Sequence, residues 1–303
     1  MKRARLLNSI LEAGKMNSLK TYVIGLPNPG SSLFEPTLDL FKKIGIQIYY
    51  NDRSFEGTIA GTEIFSRVFL MRPQDIPSAI SKGVIDCGIC GWDCVAESAL
   101  ERKLVKIAEL NYSKKTTKPV KVVLFSQRFM SLEDNESITV TTEYPNLTKG
   151  IFKNVLRENI DFSYGTTEAK VAAGMYDYGV CVTESGKSLE DNGLHIVKVL
   201  LESPTVFMTK FPVQELANFG RMLEGALFAR KLQLITMNAD AEAKGKILPI
   251  LPALKSPTVT SLADGGFSIS TVVEKSAVAD LLLKLKLYGA TGIIGTDINF
   301  AIG

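Results

Sequence analysis

Short apolar runs with the length of β-strands alternate with helical patterns through about three quarters of the chain. Strands are predicted at residues 21–26, 46–50, 67–71, 120–125, 138–142, 179–182, 196–201 and 205–210. Helices, recognised by apolar residues three or four positions apart, are predicted at residues 33–44, 147–156 and 213–229. This alternation is typical of α/β proteins, in which helices cover the faces of a sheet.

Residues 229–303 carry a different pattern. Strands are predicted at residues 232–237, 258–262, 267–273 and 292–298. Helices are predicted at residues 239–248 and 275–288. The resulting order, βαββαβ, is that of the ferredoxin-like module, which is a common regulatory addition to enzymes.

Composition and charge exclude several classes of protein and partner. With 46% hydrophobic and 22% charged residues, the chain is neither disordered, collagen-like nor a coiled coil. The net charge is only +3 and no long basic block occurs, so no nucleic-acid partner is expected. No apolar run approaches the ~18 residues needed to cross a bilayer, so no membrane association is expected either.

The cysteines and the N-terminus indicate a cytoplasmic protein. Four cysteines in 303 residues do not form a disulfide framework, and three of them lie so close together that mutual bridges would be strained. Lys2, Arg3 and Arg5 precede a short apolar stretch without a small-residue cleavage pattern. Residues 1–18 are therefore predicted to form an amphipathic helix rather than an organelle transit peptide.

The segment 179–193 has the pattern of a phosphate-binding loop. An apolar strand precedes a loop that is followed by a helix, predicted to begin at Leu189. The loop contains Thr183, Ser185, Gly186, Lys187 and Ser188. Hydroxyl groups, amides around a glycine and a helix N-terminus together favour an anion. An ordinary strand-to-helix turn with a serine N-cap would have a similar sequence, so both interpretations remain open.

Several motifs in register resemble those of a known family, the ATP phosphoribosyltransferases. They are Arg72-Pro-Gln-Asp-Ile-Pro77, Asp86-Cys-Gly-Ile-Cys-Gly-Trp-Asp93, Tyr144-Pro-Asn-Leu-Thr148, Gly165-Thr-Thr-Glu168 and Glu184-Ser-Gly-Lys-Ser-Leu189. Leu254-Lys-Ser-Pro-Thr-Val259, Leu262-Ala-Asp264 and Gly289-Ala290 resemble the C-terminal module of the family's long form. The resemblance extends over roughly residues 20–303, and the number of independent motifs makes it specific.

The resemblance implies a three-part architecture. Residues 1–110 and 196–228 would form one α/β lobe and residues 111–195 a second lobe, which carries the phosphate loop. Both lobes would resemble type II periplasmic-binding-protein domains around a cleft. Residues 229–303 would form the ferredoxin-like regulatory domain.

The resemblance also implies a reaction and its partners. The phosphoribosyl group of phosphoribosyl pyrophosphate would be transferred to N1 of ATP, pyrophosphate would leave, and Mg²⁺ would be carried by the diphosphate. No protein nucleophile or base is implied, so the single histidine, His195, is expected to be structural. Positioning and charge stabilisation would dominate catalysis. Histidine would inhibit, and the chain would form a homo-oligomer, a dimer or a hexamer.

The site residues implied by the resemblance fall into three groups. The loop residues Thr183, Glu184, Ser185, Gly186, Lys187 and Ser188 would bind the phosphate of phosphoribosyl pyrophosphate, and Glu168 would bind its ribose hydroxyls. Arg72 and Asp93 would face nucleotide or diphosphate in the cleft, although an ion pair of Arg72 with Asp75 or Asp93 is an alternative. Regulatory histidine would contact Asn238, Ser256 and Thr258, with Asn238 alternatively capping the next helix.

Two positions depart from the family pattern. Cys181 stands where the family has an aspartate that serves as a ribose ligand, and a thiol is a poor hydrogen-bond acceptor. The segment 28–33 lacks the lysine and arginine that the family carries near its N-terminus. Lysines further along the chain could replace these charges, or they could belong to a solvated strand end: Lys114, Lys115, Lys118 and Lys121.

Two rival functions follow from these departures and from the cysteines. The chain could be a paralogue that keeps ligand binding but has lost turnover. Alternatively, Cys87, Cys90 and Cys94 have a spacing found among metal ligands, and Cys181 could supply a fourth thiolate. The same cysteines alternate with glycines on a predicted buried strand, where small residues are expected for packing alone.

Overall fold

The computed structural model describes residues 20–51, 54–112, 119–128, 138–152, 159–252 and 256–302. The chain divides into two compact units, residues 1–220 and 221–303. The helix predicted over residues 1–18 lies outside the described residues, as do Lys114, Lys115 and Lys118.

The first unit contains two sheets and their covering helices. Its strands are β1 (Tyr22–Pro27), β2 (Gln47–Tyr49), β3 (Glu56–Ala60), β4 (Phe65–Met71), β5 (Cys87–Gly91), β6 (Val105–Leu110), β7 (Val120–Ser126), β8 (Val140–Thr142), β9 (Ile160–Phe162), β10 (Tyr178–Thr183), β11 (His195–Ser203) and β12 (Thr205–Thr209). Its helices are α1 (Phe34–Lys43), α2 (Ile76–Lys82), α3 (Trp92–Glu97), α4 (Pro145–Ile151), α5 (Thr167–Ala172), α6 (Lys187–Asp191) and α7 (Gln214–Ala229), the last of which continues into the second unit.

The first sheet has seven strands in the order β2-β3-β4-β1-β5-β12-β6. Strands β4, β1 and β5 are parallel, and β12 is antiparallel to both of its neighbours. Phe219 of α7 anchors this lobe, because its ring packs edge-on against those of Phe41, Phe65 and Phe207 at centroid distances of 5.5, 4.8 and 5.6 Å. All four rings are almost fully excluded from solvent, so they form one continuous aromatic core.

The second sheet has five strands in the order β11-β7-β10-β8-β9. Strands β10, β8 and β9 are parallel, whereas β7 is antiparallel to both β10 and β11. Its core contains the fully buried side chains of Val122, Leu124, Tyr178 and Val180. Continuous burial of residues 122–125 in β7 and 178–181 in β10 explains why these parts of the two strands carry no charged residue.

Both sheets share one strand order. The edge strands β2 and β3 of the first sheet have no counterpart in the second. When they are set aside and the other strands native to each lobe are numbered along the chain, the first sheet reads 2-1-3-n-4 from β4, and the second reads the same from β9, where n is the strand that crosses from the other lobe. The crossing strands are β12 in the first sheet and β7 in the second. This confirms the predicted α/β fold with lobes that resemble periplasmic-binding-protein domains.

The prediction that the chain returns to the first lobe at residue 196 was wrong. Strand β11 pairs with β7 in the second sheet, and β12, which pairs with β5 and β6, is the first segment back in the first sheet. The apolar run 196–201 is a strand as predicted, but its sequence does not reveal which sheet it joins. The second lobe therefore extends to Ser203.

The second unit contains the predicted βαββαβ order. Its elements are β13 (Leu232–Ala239), α8 (Ala241–Ile247), β14 (Thr258–Ser261), β15 (Phe267–Glu274), α9 (Val278–Leu287) and β16 (Thr291–Asp297). The antiparallel sheet has the order β14-β15-β13-β16, which is the ferredoxin-like arrangement. Its core includes Ile235, Met237, Ile247, Ile269 and Leu285.

Helix α8 is capped by Asp240 and not by Asn238, for which a capping role was an alternative. The side chain of Asp240 accepts a hydrogen bond from the backbone N–H of Ala243 at 2.8 Å and so caps this helix. Asn238 lies two residues earlier, inside β13, where its backbone belongs to the sheet. Asn238 therefore does not cap the helix.

In the described part of the chain, no helix is both long enough and apolar enough to cross a membrane. The longest of them, α7, has 16 residues.

The close approach of β10 to β7 yields a stability prediction. A Cβ atom at Gly179 would overlap the ring of Phe125, whereas one at Gly150, in α4, would meet nothing. We expect Gly179→Ala to lower the free energy of unfolding by about 1–3 kcal/mol through overpacking. Gly150→Ala should instead raise it by about 0.5–1 kcal/mol. Urea denaturation of both variants measures the contrast, and equal effects would contradict the described packing.

Candidate functional site

A cleft of about 500 Å³ lies where the carboxyl ends of the parallel strands of both sheets meet. Ligands of open α/β sheets bind at such strand ends. The lining comes from the loops after β1, β4, β5 and β8, from the end of β10, and from the segments that cross between the lobes. It includes Asn28, Ser31, Arg72, Gln74, Asp93, Tyr112, Tyr144, Thr183, Glu184, Ser203 and Thr205.

Asp93 is the centre of a buried hydrogen-bond network at this cleft. One carboxylate oxygen accepts from the Tyr144 hydroxyl at 2.8 Å, and the other accepts from the Ser203 hydroxyl at 2.5 Å. The Ser203 oxygen in turn accepts from the Asp93 backbone N–H at 2.8 Å. Asp93 is only 6% exposed, so its carboxylate is committed to protein partners on two other segments of the chain.

Tyr144 is the donor in this network because its phenol stays protonated. Burial raises the pKa of Tyr144 well above its usual range, and the neighbouring Asp93 carboxylate raises it further. A neutral phenol beside an ionised carboxylate makes a charge-assisted hydrogen bond. This bond links the second lobe, which contains Tyr144, to the first lobe, which contains Asp93.

The loop after β1 contributes amide and hydroxyl groups to the cleft but no cation. Asn28, Ser31 and Ser32 line it, and the sequence 28–33 contains neither lysine nor arginine. The start of α1 is fixed by Thr37, whose hydroxyl bonds to the Leu33 carbonyl at 2.6 Å and to the Tyr112 hydroxyl at 2.7 Å. Tyr112 was not singled out from the sequence, where it is an isolated aromatic residue without a motif.

Arg72 supplies positive charge to the cleft. It follows β4 directly and is the only lysine or arginine among the described lining residues. The alternative of an ion pair does not occur: of the described residues, neither Asp75 nor Asp93 pairs with Arg72. Lys121, considered as a replacement cation, instead pairs with Glu202 at 3.9 Å on an exposed surface.

The candidate phosphate loop is only partly in the cleft lining. Thr183 and Glu184 line the cleft, but Ser185, Gly186, Lys187 and Ser188 are not among the lining residues. Gly186 has φ +79°, a conformation that favours glycine, and its N–H donates to the Thr183 hydroxyl at 3.0 Å. Helix α6 begins at Lys187 rather than at the predicted Leu189 and has only five residues.

Glu168 and Cys181 lie together in the second lobe, outside the cleft lining. Burial raises the pKa of the Cys181 thiol, and the nearby carboxylates of Glu168 and Glu143 raise it further. The pKa of Glu143 is also raised by burial, although the Thr167 hydroxyl donates to it at 2.8 Å. The position at which the family resemblance implies an aspartate is thus occupied by a neutral thiol.

The other cysteines do not support the metal-binding alternative. Cys87 and Cys90 belong to β5 and Cys94 to α3, and all of them are buried free thiols. Burial raises the pKa of Cys90, which opposes the thiolate form that metals bind. Cys181 belongs to the other sheet. Within the described ranges, no three His, Cys, Asp or Glu residues are grouped so that they could hold a metal ion.

The candidate regulatory residues all lie in the second unit and are exposed. Strand register places Asn238 opposite Ser268 and Thr258 opposite Ser270. Alternating residues of β13 and β15, such as Met237 and Ile269, point into the core, so the polar residues share the opposite face. This face carries Thr236, Asn238, Thr258, Thr260, Ser268 and Ser270, and Ser256 precedes β14.

The raised pKa of Glu143 predicts a pH-dependent effect of Glu143→Gln. A carboxyl whose pKa is higher in the folded state contributes stability that is lost as pH rises, because its ionised form is disfavoured by burial. The variant should therefore melt above the wild type at pH 8, and the gap should shrink toward pH 5. Thermal denaturation across this range tests it, with exposed Glu190→Gln as control. A gap that widens on acidification would contradict the assignment.

Comparison with known proteins identifies the family. The family model described as ATP phosphoribosyltransferase matches residues 72–224, and the model described as HisG, C-terminal domain, matches residues 229–300. An ATP phosphoribosyltransferase of Thermodesulfovibrio yellowstonii is 32% identical over 94% of this chain and its own full length. Another, from Trichlorobacter lovleyi, is 35% identical over 88% of this chain and 94% of its own length.

A solved structure agrees at the level of the fold. It is described as the ATP phosphoribosyl transferase (HisG:HisZ) complex from Thermotoga maritima, and its chain superposes with a TM-score of 0.51 and 23% identity over 62% of this chain and 87% of its own. The two-lobed fold, the full-length relatives and the two family matches agree. The chain therefore belongs to the ATP phosphoribosyltransferases, the glycosyltransferases that begin histidine biosynthesis, in the long form with a C-terminal regulatory domain.

Proposed function

We propose that the cleft between the two lobes binds ATP and phosphoribosyl pyrophosphate and transfers the phosphoribosyl group to N1 of ATP. The observation that carries the proposal is the convergence of Arg72, Thr183 and Glu184 in one cleft at the carboxyl ends of both sheets. The bond between C1 of the ribose and the diphosphate breaks, the bond from N1 to C1 forms, and pyrophosphate leaves.

Catalysis on this site would come from positioning and charge. Holding N1 and C1 in line converts a bimolecular reaction into one within a single complex. Diphosphate is a good leaving group, so a nucleophilic side chain is unnecessary, and the negative charge it takes away is matched by the Arg72 guanidinium. The buried network of Asp93, Tyr144 and Ser203 keeps the cleft walls in place during this step.

The individual roles follow the resemblance. The loop 183–188 would bind the 5′-phosphate through its hydroxyls and amides, and Glu168 would accept from the ribose hydroxyls. Because burial and the nearby Glu168 carboxylate keep the Cys181 thiol protonated, Cys181 would not supply the second carboxylate that the family uses at the ribose. Replacement of Cys181 by aspartate would place a second carboxylate there.

Mg²⁺ fits this site as a companion of the diphosphate. The donors present are the Glu184 carboxylate and the Thr183 hydroxyl, which are hard oxygen ligands, and Mg²⁺ typically combines one or two such groups with substrate phosphates. Bound there, it would neutralise charge on the leaving diphosphate.

A direct test compares Arg72→Gln with Arg67→Gln. Arg67 lies on β4, the strand that Arg72 follows, and it pairs with Glu56 on the exposed surface, so it serves as the matched control. We expect Arg72→Gln to raise the KM for one of the two phosphorylated substrates about ten- to a hundredfold, the effect of losing one charge-assisted hydrogen bond. Formation of phosphoribosyl-ATP by purified protein is the measurement. Substrate binding without turnover in the wild type would favour the paralogue instead.

The second unit would mediate feedback inhibition by histidine in a homo-oligomer, a dimer or a hexamer. Its polar sheet face offers hydroxyls and the Asn238 amide, which suit the ammonium and carboxylate of an amino acid. Inhibition from this unit requires that histidine bind one state of the enzyme more tightly than another.

Thermal denaturation with and without histidine tests the regulatory site. Histidine at a hundredfold excess over its dissociation constant should stabilise the protein by ~2.7 kcal/mol. Asn238→Ala should abolish the shift, whereas exposed Asn299→Ala in the same unit should preserve it. Sedimentation under the same conditions reports whether the assembly changes. If histidine alters neither melting nor assembly, the regulatory assignment fails.

A further inference from the structure

We propose that Glu97 is a positioning residue for this reaction: its carboxylate on helix α3 of the first lobe holds the start of helix α4 of the second lobe, and thereby places Tyr144 in the cleft wall. This inference rests on the function proposed above, because its effect on catalysis presupposes turnover in that cleft.

The contacts of Glu97 cross from one lobe to the other. One carboxylate oxygen accepts from the backbone N–H of Asn146 at 2.8 Å, and the other accepts from that of Leu147 at 3.0 Å. The Asn146 side-chain amide donates back to the Glu97 carbonyl at 2.8 Å. Three hydrogen bonds thus connect the end of α3 to the first turn of α4.

Helix α4 depends on this contact because it lacks a cap of its own. Its N-cap residue is Tyr144, whose side chain makes no capping hydrogen bond, and Pro145 has no backbone N–H to donate. The first free donors of the helix are therefore the N–H groups of Asn146 and Leu147. Glu97 satisfies both from 49 and 50 residues away, so the other lobe supplies the cap.

Helix α3 forms hydrogen bonds to the start of α4 through two carboxylates. Asp93 and Glu97 are four residues apart, which puts both carboxylates on one face of the helix. Asp93 holds the hydroxyl of Tyr144, and Glu97 holds the backbone that follows it. The position of the Tyr144 ring is consequently fixed at both ends, its hydroxyl by one carboxylate and its main chain by the other.

The Glu97 contact between the lobes lies at the edge of a cavity and is not part of the hydrophobic core. It lies beside a second cavity of about 200 Å³, which shares Gln74, Cys94 and Tyr144 with the main cleft. Burial raises the pKa of Glu97 despite the two N–H donors and the attraction of Lys149. Ionised Glu97 therefore lowers the stability of the folded protein relative to the same group in water. Such destabilised ionisable groups are common at functional sites.

The experiment compares Glu97→Ala and Glu97→Gln with Glu101→Ala, an exposed glutamate four residues further on. We expect Glu97→Ala to raise KM for both substrates about tenfold and to change kcat less than threefold. Without the Glu97 contact, part of the substrate binding energy is used to position the two lobes, whereas the bound complex then reacts almost normally. Glu97→Gln, which keeps one acceptor, should recover part of this loss. Glu101→Ala should match the wild type.

Trp92 offers a second measurement, because it is the only tryptophan of the chain. Trp92 is the first residue of α3, and its backbone N–H donates to the carbonyl of Pro204 at 2.9 Å. Pro204 connects β11 of the second lobe to β12 of the first. Titration with phosphoribosyl pyrophosphate should change Trp92 emission in the wild type. In Glu97→Ala the same change should require a roughly tenfold higher concentration.

Two results would overturn the proposal: KM values in Glu97→Ala equal to those of Glu101→Ala, or a loss of kcat that simply follows a loss of thermal stability. Failure of the proposed function is distinguishable, because it shows as absent turnover in the wild type. In that case hydrogen exchange on ligand-free protein still tests the contact of Glu97 with the start of α4. The amides of Asn146 and Leu147 should exchange faster in Glu97→Ala than in Glu101→Ala, and unchanged exchange refutes it.

Discussion

The two-lobed unit depends on one buried carboxylate, that of Asp93. A carboxylate removed from water is tolerated only when its oxygens receive hydrogen bonds. Here the donors come from Tyr144 in the second lobe and from Ser203, the last residue before the chain returns to the first lobe. Removal of either donor would leave the carboxylate undersatisfied, so the geometry of the cleft and the stability of the lobes are set by the same group.

The cleft itself has few positive charges for a site proposed to bind two phosphorylated substrates. Among the described residues that line it, Arg72 is the sole cation, and the loop after β1 contributes hydroxyls and an amide where charged side chains would be expected. Neutral donors bind phosphate less strongly than cations do but orient it well. Under the proposed function, recognition of the substrates in this cleft would therefore rely on directed hydrogen bonds, and on Mg²⁺ carried by the diphosphate, more than on a field of positive charge.

The sequence revealed the elements and most of the fold, since period and capping are local properties. It indicated the strand-loop-helix segment around Gly186, the order of the C-terminal module and the cleft position of Arg72. It did not reveal that Asp93 bonds to groups 51 and 110 residues away, or that Glu97 caps a helix 49 residues away. In the sequence, a carboxylate beside a motif suggests a ligand-binding residue. Only the tertiary structure shows that its oxygens already accept hydrogen bonds from the protein. The assignment of β11 to the wrong lobe has the same cause, because an apolar run specifies a strand but not its neighbours.

The position of β12 has a consequence for the order in which the molecule can assemble. This strand lies between β5 and β6, yet it is made after the whole second lobe. Until residue 209 leaves the ribosome, β5 and β6 each expose an unpaired edge, and all the residues of the five-stranded sheet already precede that point. The lobe that starts the chain is therefore the one that finishes last. Its exposed edges, one of them wholly apolar, are where a nascent or stalled chain is most vulnerable to association with its neighbours.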